Sequence, residues 1–373
     1  MQPPAQQQLW LSSPGKAQLR EVPVPKPGKG ELLLKIEAAL TCGTDLKAWQ
    51  RGHKLIPMPG PFGHEFSGTV AAVGSGVKKF RRGDAVMAVH TAPCFNCNYC
   101  EKGFYNLCQN IMETKVLGAF GEYLLLPRHI VRTNVFLKPK TLSFEEAAFL
   151  EPLSCVVHGV ERLGIKIKKK GERKSALIFG AGPIGLLHLL LLKAKGVHVA
   201  VCALEPSRLK LAKKLGAGAA FRPEGKSAEK AMEKFAPHGA DYIIECTGRK
   251  EVWQSALKFA RRGAKIMLFG GLKKGTPVTW PSHRIHYDEL TLMASFHFCP
   301  QDVKTAQKLL ADGSISVRPL ISGTFTLATA QNAFLRLAKG RGIKYVIKAK
   351  NQPPLIPRRG LSPRWSGLGG DFN

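Results

Sequence analysis

The sequence predicts an α/β fold in which a doubly wound parallel sheet is joined to a mostly β domain. Three observations carry that reading. At 373 residues the chain exceeds one ordinary core and suffices for two, neither of which needs disulfide staples. From about residue 155 onward, short apolar strands alternate with helical stretches, as parallel strands do with their crossover helices. Within that region the glycine-rich turn 180–185 follows an apolar strand directly and opens an apolar helix.

Composition narrows the class further. Hydrophobic content is 44% with 38 Gly, ordinary for a soluble α/β protein, and the apolar run 184–192 is interrupted by His188 and too short to span a bilayer. No membrane partner is expected. The N-terminal Pro and Gln residues lack the basic start and apolar core of a signal peptide, so the expected location is cytoplasmic. Nine Cys is an odd number, and four of them crowd into 94–108, a distribution that fits metal binding better than a disulfide framework. The formal charge of +30 makes nucleic acid or an acidic membrane surface the first suspicion. Lys and Arg are spread along the chain, however, densest at 166–174, with no basic helix interleaved with aromatics. The charge reads as a solvated surface, with attraction of an anionic substrate as the lesser alternative.

Taken in order, residues 1–30 form an extended, turn-punctuated lead-in rich in Pro and Gln. A strand over 32–38 then delivers the chain to Cys42-Gly43-Thr44-Asp45, at a strand end or on the following loop. Gly63-His64-Glu65 adds an imidazole and a carboxylate, completing the pieces of a catalytic zinc site, which keeps an open position for water or substrate. A lone Cys and a lone His twenty-two residues apart are more often core residues than ligands. The triplet continues as Gly68, Gly74 and Val77, glycines spaced so that strands can approach closely around the site. Farther on, Cys94, Cys97, Cys100 and Cys108 have the spacing of a closed tetrahedral zinc site that fixes an irregular loop by coordination.

The pattern Gly63-His64-Glu65-x2-Gly68-x5-Gly74-x2-Val77 resembles the signature of zinc-dependent medium-chain alcohol dehydrogenases. Cys42-Gly43-Thr44-Asp45 is similar to their polyol and threonine dehydrogenase branch. The resemblance covers residues from about 20 to 350. It implies a GroES-like catalytic domain at 1–153 and 296–350, with a structural-zinc lobe at 94–108 that is remote from chemistry. A Rossmann domain is implied at 154–295, and residues 351–373 read as a flexible tail. It also implies two zinc ions, one catalytic and one structural, a small-molecule alcohol substrate, and a homo-oligomer, dimer or tetramer. By the same resemblance Glu151, in Glu151-Pro152-Leu153, lies at the metal directly or through water; sequence spacing alone favours a helix-end surface carboxylate. Ser143 with Glu145 and Glu146 looks like a capped helix start whose Glu spacing falls one short of a capping box.

In the second half, Gly180-Ala181-Gly182-Pro183-Ile184-Gly185 is a dinucleotide fingerprint in its required strand-to-helix context. Gly180 permits the tight turn, Gly182 lets backbone approach the pyrophosphate, and Gly185 lets the helix pack closely, with the helix N-terminus favouring phosphate charge. The next strand, 197–202, should end near an acid for the adenosine ribose, yet the position holds Ala203. Either Glu205 serves, or Ser207 with Arg208 accepts a 2′-phosphate, so NAD and NADP both stay open. Strands at 242–245, 265–269 and 290–294 fill out the sheet, with Gly270 and Gly271 where related folds pass the nicotinamide. Helices are expected at 301–310 and 327–339 and a strand at 344–348.

The implied chemistry is hydride transfer between a secondary alcohol, polyol or sugar-like, and a nicotinamide cofactor. Cys42 and His64 hold the catalytic zinc, with Glu65 or Glu151 completing the set directly or through water. Thr44 is the first proton acceptor, and Lys47 stands where many relatives carry a relay His, so Lys47, cofactor hydroxyls or water must pass the proton on. Asp45 reads as a structural hydrogen-bonding residue. His297 and Phe298 stand where sorbitol dehydrogenases carry an Arg and a Tyr that contact the polyol; the departure argues against sorbitol itself, while His297 can still bond a hydroxyl. Rival readings are an anionic or zwitterionic substrate, such as a sugar phosphate or threonine, a zinc-stabilised nucleic-acid-binding protein, and a catalytically dead scaffold. The nucleic-acid reading leaves the fingerprint and the His64 motif unused, and the dead scaffold conflicts with the complete set of donors.

Overall fold

A computed structural model describes residues 4–166, 173–223 and 225–349. The 351–373 tail and most of the basic 166–174 stretch lie outside the described residues. The chain opens with a hairpin, β1 (Ala5–Ser13) and β2 (Lys16–Pro23), where composition pointed only to an extended lead-in. Glutamine disguised it. Gln6 and Gln8 take inward positions beside Leu9 and Leu11, where Tyr123 N–H donates to Gln6 Oε1 at 2.8 Å and the Trp10 indole N–H to Gln8 Oε1 at 2.9 Å.

Next come β3 (Leu32–Leu40), β4 (Gly60–Pro61), β5 (Glu65–Val73), β6 (Ala85–Val89), β7 (Tyr123–Leu126) and β8 (Val135–Leu137). The apolar, alternating β3 is the spine of this half: β5 runs along one side, while β7 and the late strand β16 (Lys344–Lys348) share the other. Beyond β16 lies β15 (Ile321–Thr326), giving the order β15-β16-β3-β5-β6-β8. Leu40 pairs with Glu65, and Glu65 with Val89. Those two registers bring the segments after β3, before β5 and after β6 to one end of the sheet.

The second sheet contains β9 (Ser175–Phe179), β10 (His198–Cys202), β11 (Ala219–Phe221), β12 (Ala240–Glu245), β13 (Ala260–Leu268) and β14 (Thr291–Ala294). Its order is β11-β10-β9-β12-β13-β14, with every pair parallel. The strand order reverses between β9 and β12, so a crevice opens at their carboxyl ends, Phe179 and Glu245, where doubly wound folds bind ligands. Leu40, Met87 and Val89 of the first sheet bury into the same core as Leu153, Val157, Ala181 and Leu186. The two sheets are thereby pressed together at their functional ends.

Two local expectations need correction. Ser143 caps the helix Phe144–Ala147 with a complete capping box, because Glu146 is three residues on and bonds Ser143 N–H at 3.0 Å. The 327–339 stretch divides into a 3-10 turn, Leu327–Thr329, and the helix Ala330–Ala338.

Candidate active site

Cys42 lies two residues past β3 as N-cap of the helix Gly43–Arg51. Its sulfur accepts a bond from Thr44 N–H, and Asp45 Oδ2 accepts one from Cys42 N–H at 3.2 Å. Asp45, fully buried, turns its other oxygen to His64 Nδ1 at 3.2 Å. One carboxylate therefore fixes both the cysteine backbone and the imidazole, as an outer-sphere partner of a metal ligand does. Gly63 adopts φ +89°, and a Cβ there would stand 2.8 Å from the Phe120 ring, so only glycine lets the chain turn into His64. Donor atoms of Cys42, His64 and Glu65 end within 4.8 Å of one another.

Burial and the neighbouring charges oppose each other in this group. Burial alone would lower the His64 imidazole, but Asp45 and Cys42 outweigh it and hold it well above its usual value. Burial raises Glu65 against the pull of Lys344, which bonds its Oε2; Glu65 Oε1 is buried with no hydrogen-bond partner. A buried carboxylate with one unpartnered oxygen, grouped with a thiol and an imidazole, is a donor set that fits zinc. Glu151 is not a surface carboxylate: it is 5% exposed in the first turn of the helix Leu150–Leu163, and burial pushes it up to about 7. Its donors group with Cys155 and His297, apart from the Cys42 set.

A cavity of about 440 Å³ is lined by Cys42, His64, Glu65, Glu151 and His297. Thr44 and Lys47 line it from the helix Gly43–Arg51, and Pro183, Ile184, Gly270 and Gly271 line it from the second sheet. His90, Cys155 and Lys344 line it too, and sequence reasoning missed them. Cys155 was findable, since it lies four residues after Glu151 on one helix face. His90 and Lys344 carry no local signal; only strand register brings them in. His297 packs on Phe298 with ring centroids 3.9 Å apart, and burial holds its imidazole down at about 3.

The adjoining cavity, about 570 Å³, runs along the fingerprint past Gly180, Gly182, Ala203, Glu205 and Arg208. A Cβ at Gly185 would fall 1.8 Å from Gly180 O, whereas one at Gly182 would meet nothing within 4 Å, leaving open space at the N-cap of the helix Pro183–Ala194. Room for a phosphate and an unsatisfied helix N-terminus coincide there. Arg208 Nη2 donates to the carbonyls of Gly340 and Gly342 at 3.4 and 3.3 Å.

Cys94, Cys97, Cys100 and Cys108 gather in a separate lobe around the short helix Asn98–Glu101 and the 3-10 turn Tyr105–Leu107. The Cys94 sulfur is 3.5 Å from that of Cys108 and 4.0 Å from that of Cys100, close to the roughly 3.8 Å that a tetrahedral Zn–S site requires. Backbone hydrogen bonds lower Cys97 to about 6, while burial and its neighbours push Cys100 up to about 12. Thiols so crowded ionise together only around a cation, and the donor set fits zinc.

Comparison with known proteins shows the family. Residues 28–135 match the profile of the alcohol dehydrogenase GroES-like domain, and residues 183–312 that of zinc-binding dehydrogenase. Sorbitol dehydrogenase of Ovis aries is 34% identical over 91% of this chain and 95% of its own length. D-xylulose reductase A of Aspergillus oryzae is 30% identical over 89% and 93%. Among solved structures, galactitol-1-phosphate dehydrogenase of Escherichia coli aligns with a TM-score of 0.80 at 28% identity, covering 92% of this chain and 99% of that one. A Sinorhizobium meliloti chain solved with NADP bound aligns with a TM-score of 0.82 at 31% identity over the same shares.

Proposed function

The chain belongs to the zinc-binding alcohol dehydrogenase family, and we propose that its central cavity oxidises a secondary alcohol of a polyol or sugar, or reduces the matching ketone, with a nicotinamide dinucleotide. One observation carries the reading: the Cys42, His64 and Glu65 donors meet in the same cavity that Pro183, Ile184, Gly270 and Gly271 line from the fingerprint side. Glu65 is the third ligand of the catalytic zinc in this proposal, because its carboxylate is grouped with the Cys42 and His64 donors and its Oε1 is buried without a hydrogen-bond partner. The four-Cys lobe holds a second, structural zinc.

Zinc supplies Lewis-acid polarisation of the alcohol oxygen, and the dinucleotide supplies the hydride acceptor. The chain's residues do the rest. Thr44 takes the hydroxyl proton from its place beside Cys42, and Lys47, on the same helix and exposed at the cavity wall, passes it to solvent. Asp45 keeps His64 oriented, and Lys344 keeps Glu65 ionised by pairing with it. Gly271, where a Cβ would meet nothing within 4 Å, leaves space for the nicotinamide ring beside Gly270, and Phe296 and His297 shape the compartment for the rest of the alcohol. His297 orients a substrate hydroxyl as a neutral imidazole.

At the ribose end Glu205 lines the cavity, and Arg208 is engaged with two backbone carbonyls, which supports NAD over NADP. Sheet membership supports domain limits of 1–153 with 296–350 for the catalytic domain and 154–295 for the dinucleotide domain. No helix among the described residues is long and apolar enough to cross a membrane. None of the nine cysteines is paired in a disulfide, which supports a reducing, cytoplasmic setting, and a dimer or tetramer is the expected assembly.

A second reading, an anionic substrate such as a polyol phosphate or the zwitterion threonine, is favoured by Lys47 and Lys115, which both line the cavity. Cofactor reduction against a panel of polyols, sugar phosphates and L-threonine separates the two. The polyol reading expects turnover with uncharged polyols and a kcat/KM insensitive to salt. A kcat/KM restricted to phosphorylated substrates and falling steeply with ionic strength establishes the second.

A further inference from the structure

Beside the Cys42, His64 and Glu65 group, the cavity holds another set of metal donors. Single donor atoms of Glu151, Cys155 and His297 lie within 4.8 Å of one another. Glu151 and Cys155 stand one helical turn apart, with Cys155 Sγ 3.8 Å from Glu151 Oε1. His297 comes from the segment after β14 with φ +59°, a backbone conformation that a side-chain-bearing residue adopts rarely and that clusters at functional sites. Its Nε2 is bonded to Thr91 Oγ1 at 2.7 Å, which leaves Nδ1 for another partner. His90 supplies a fourth group: its Nδ1 is buried without a hydrogen-bond partner, 3.6 Å from Glu151 Oε1.

We propose that Glu151, Cys155 and His297, with His90 as fourth donor, form a second zinc site, and that its occupation closes the alcohol compartment. Thiolate, imidazole and carboxylate are the donors that zinc takes, and a tetrahedral sphere places them about 3.3–3.8 Å apart. Glu151, Cys155 and His297 must therefore contract by about an ångström and His90, outside their grouping, must move in farther, which makes this site weaker than the first, where Asp45 and Lys344 already hold the donors. The two sites are neighbours: the His90 ring lies 4.9 Å from that of His64 and 5.6 Å from that of His297. An ion on Cys155 and His297 takes the imidazole that would bond a substrate hydroxyl and fills space beside Phe296. Free zinc then competes with the alcohol, raising KM and leaving kcat unchanged.

The inhibition rests on the dehydrogenase reading; the metal count does not. Zinc per chain is measured by elemental analysis on the full-length protein after dialysis, then after equilibration with excess Zn2+. The wild type is expected to take up one zinc more than Cys155→Ala and Cys155→Val, two substitutions of which the first leaves space and the second fills it with apolar bulk. In parallel, the apparent KM for the alcohol should rise at least tenfold with added Zn2+ in the wild type and stay flat in both variants. Equal uptake by wild type and both variants would overturn the site. If no alcohol is turned over at all, the proposed function fails and the count still decides the metal site.

Discussion

Lys344 reaches from β16 to Glu65 at the head of β5, and both side chains are 1% exposed. The same ammonium donates to the carbonyl of Thr41 at 2.9 Å, one residue before Cys42. A single buried cation thus ties together the two segments that carry the proposed zinc ligands. Lys344→Met leaves Glu65 charged and unpaired, and breaking a buried pair from one side costs about 3–5 kcal/mol. The expected result is a lower Tm together with loss of zinc from the Cys42 site, read by elemental analysis. The double variant Lys344→Met/Glu65→Leu should recover much of the Tm and none of the activity.

His158, on the helix Leu150–Leu163, bonds Asp302 at 2.8 Å through Nδ1. Burial opposes its charge, but Asp302 and Cys299 prevail and raise it to about 9. A raised folded-state value means that the imidazolium stabilises the fold fully below its unfolded value of about 6.5 and stops doing so as pH rises through about 9. Asp302→Asn should therefore cost roughly 3 kcal/mol near pH 6, with the gap to wild type narrowing above pH 9. Urea unfolding at a series of pH values checks it; a gap that does not change with pH rejects the charge pair as the cause.

The parts of this molecule that were legible in the sequence are those whose chemistry is local. The fingerprint is six consecutive residues, and a Cβ at Gly185 clashing with Gly180 O is a constraint between positions five apart, so both glycines announce themselves. The Cys42 motif is likewise completed within a few residues by Asp45. What sequence could not show depends on register. His90 reaches the site because Glu65 pairs with Val89, and Lys344 because β16 returns beside β3 nearly three hundred residues after β5. The N-terminal hairpin hid for a different reason: Gln6 and Gln8 occupy inward positions that a hydrophobic pattern reserves for apolar side chains.

The two cysteine groups should separate cleanly under mutation. Cys42→Ala removes a ligand from a site with few protein donors, so the variant should lose one zinc and fall at least about 10³-fold in kcat while keeping its unfolding free energy within about 1 kcal/mol of wild type. Cys94→Ala acts on a lobe whose only fully buried apolar companions are Cys100, Cys108 and Ile111, so coordination is what orders it. That variant should lose the other zinc and a large part of its thermal stability. Zinc content, Tm and turnover measured side by side test both, and full activity in Cys42→Ala rejects the proposed mechanism.

At the ribose end, Glu205 and Arg208 line the same cavity with opposite charges, and each predicts a different cofactor. Ala203 occupies the strand-end position where an acid is expected, so the carboxylate comes two residues later, as N-cap of the helix Pro206–Lys214. A carboxylate there accepts ribose hydroxyls and repels a 2′-phosphate. Arg208 Nη2 is already shared between the carbonyls of Gly340 and Gly342, tying the helix to the turn before β16. Glu205→Ala should lower kcat/KM for NAD by about tenfold, roughly 1.4 kcal/mol, and leave NADP unchanged or improved. Arg208→Ala should reduce stability modestly and affect both cofactors alike, because its bonds are to backbone. A selective loss with NADP in Arg208→Ala reverses the assignment, since only a guanidinium that reads the 2′-phosphate would distinguish the two.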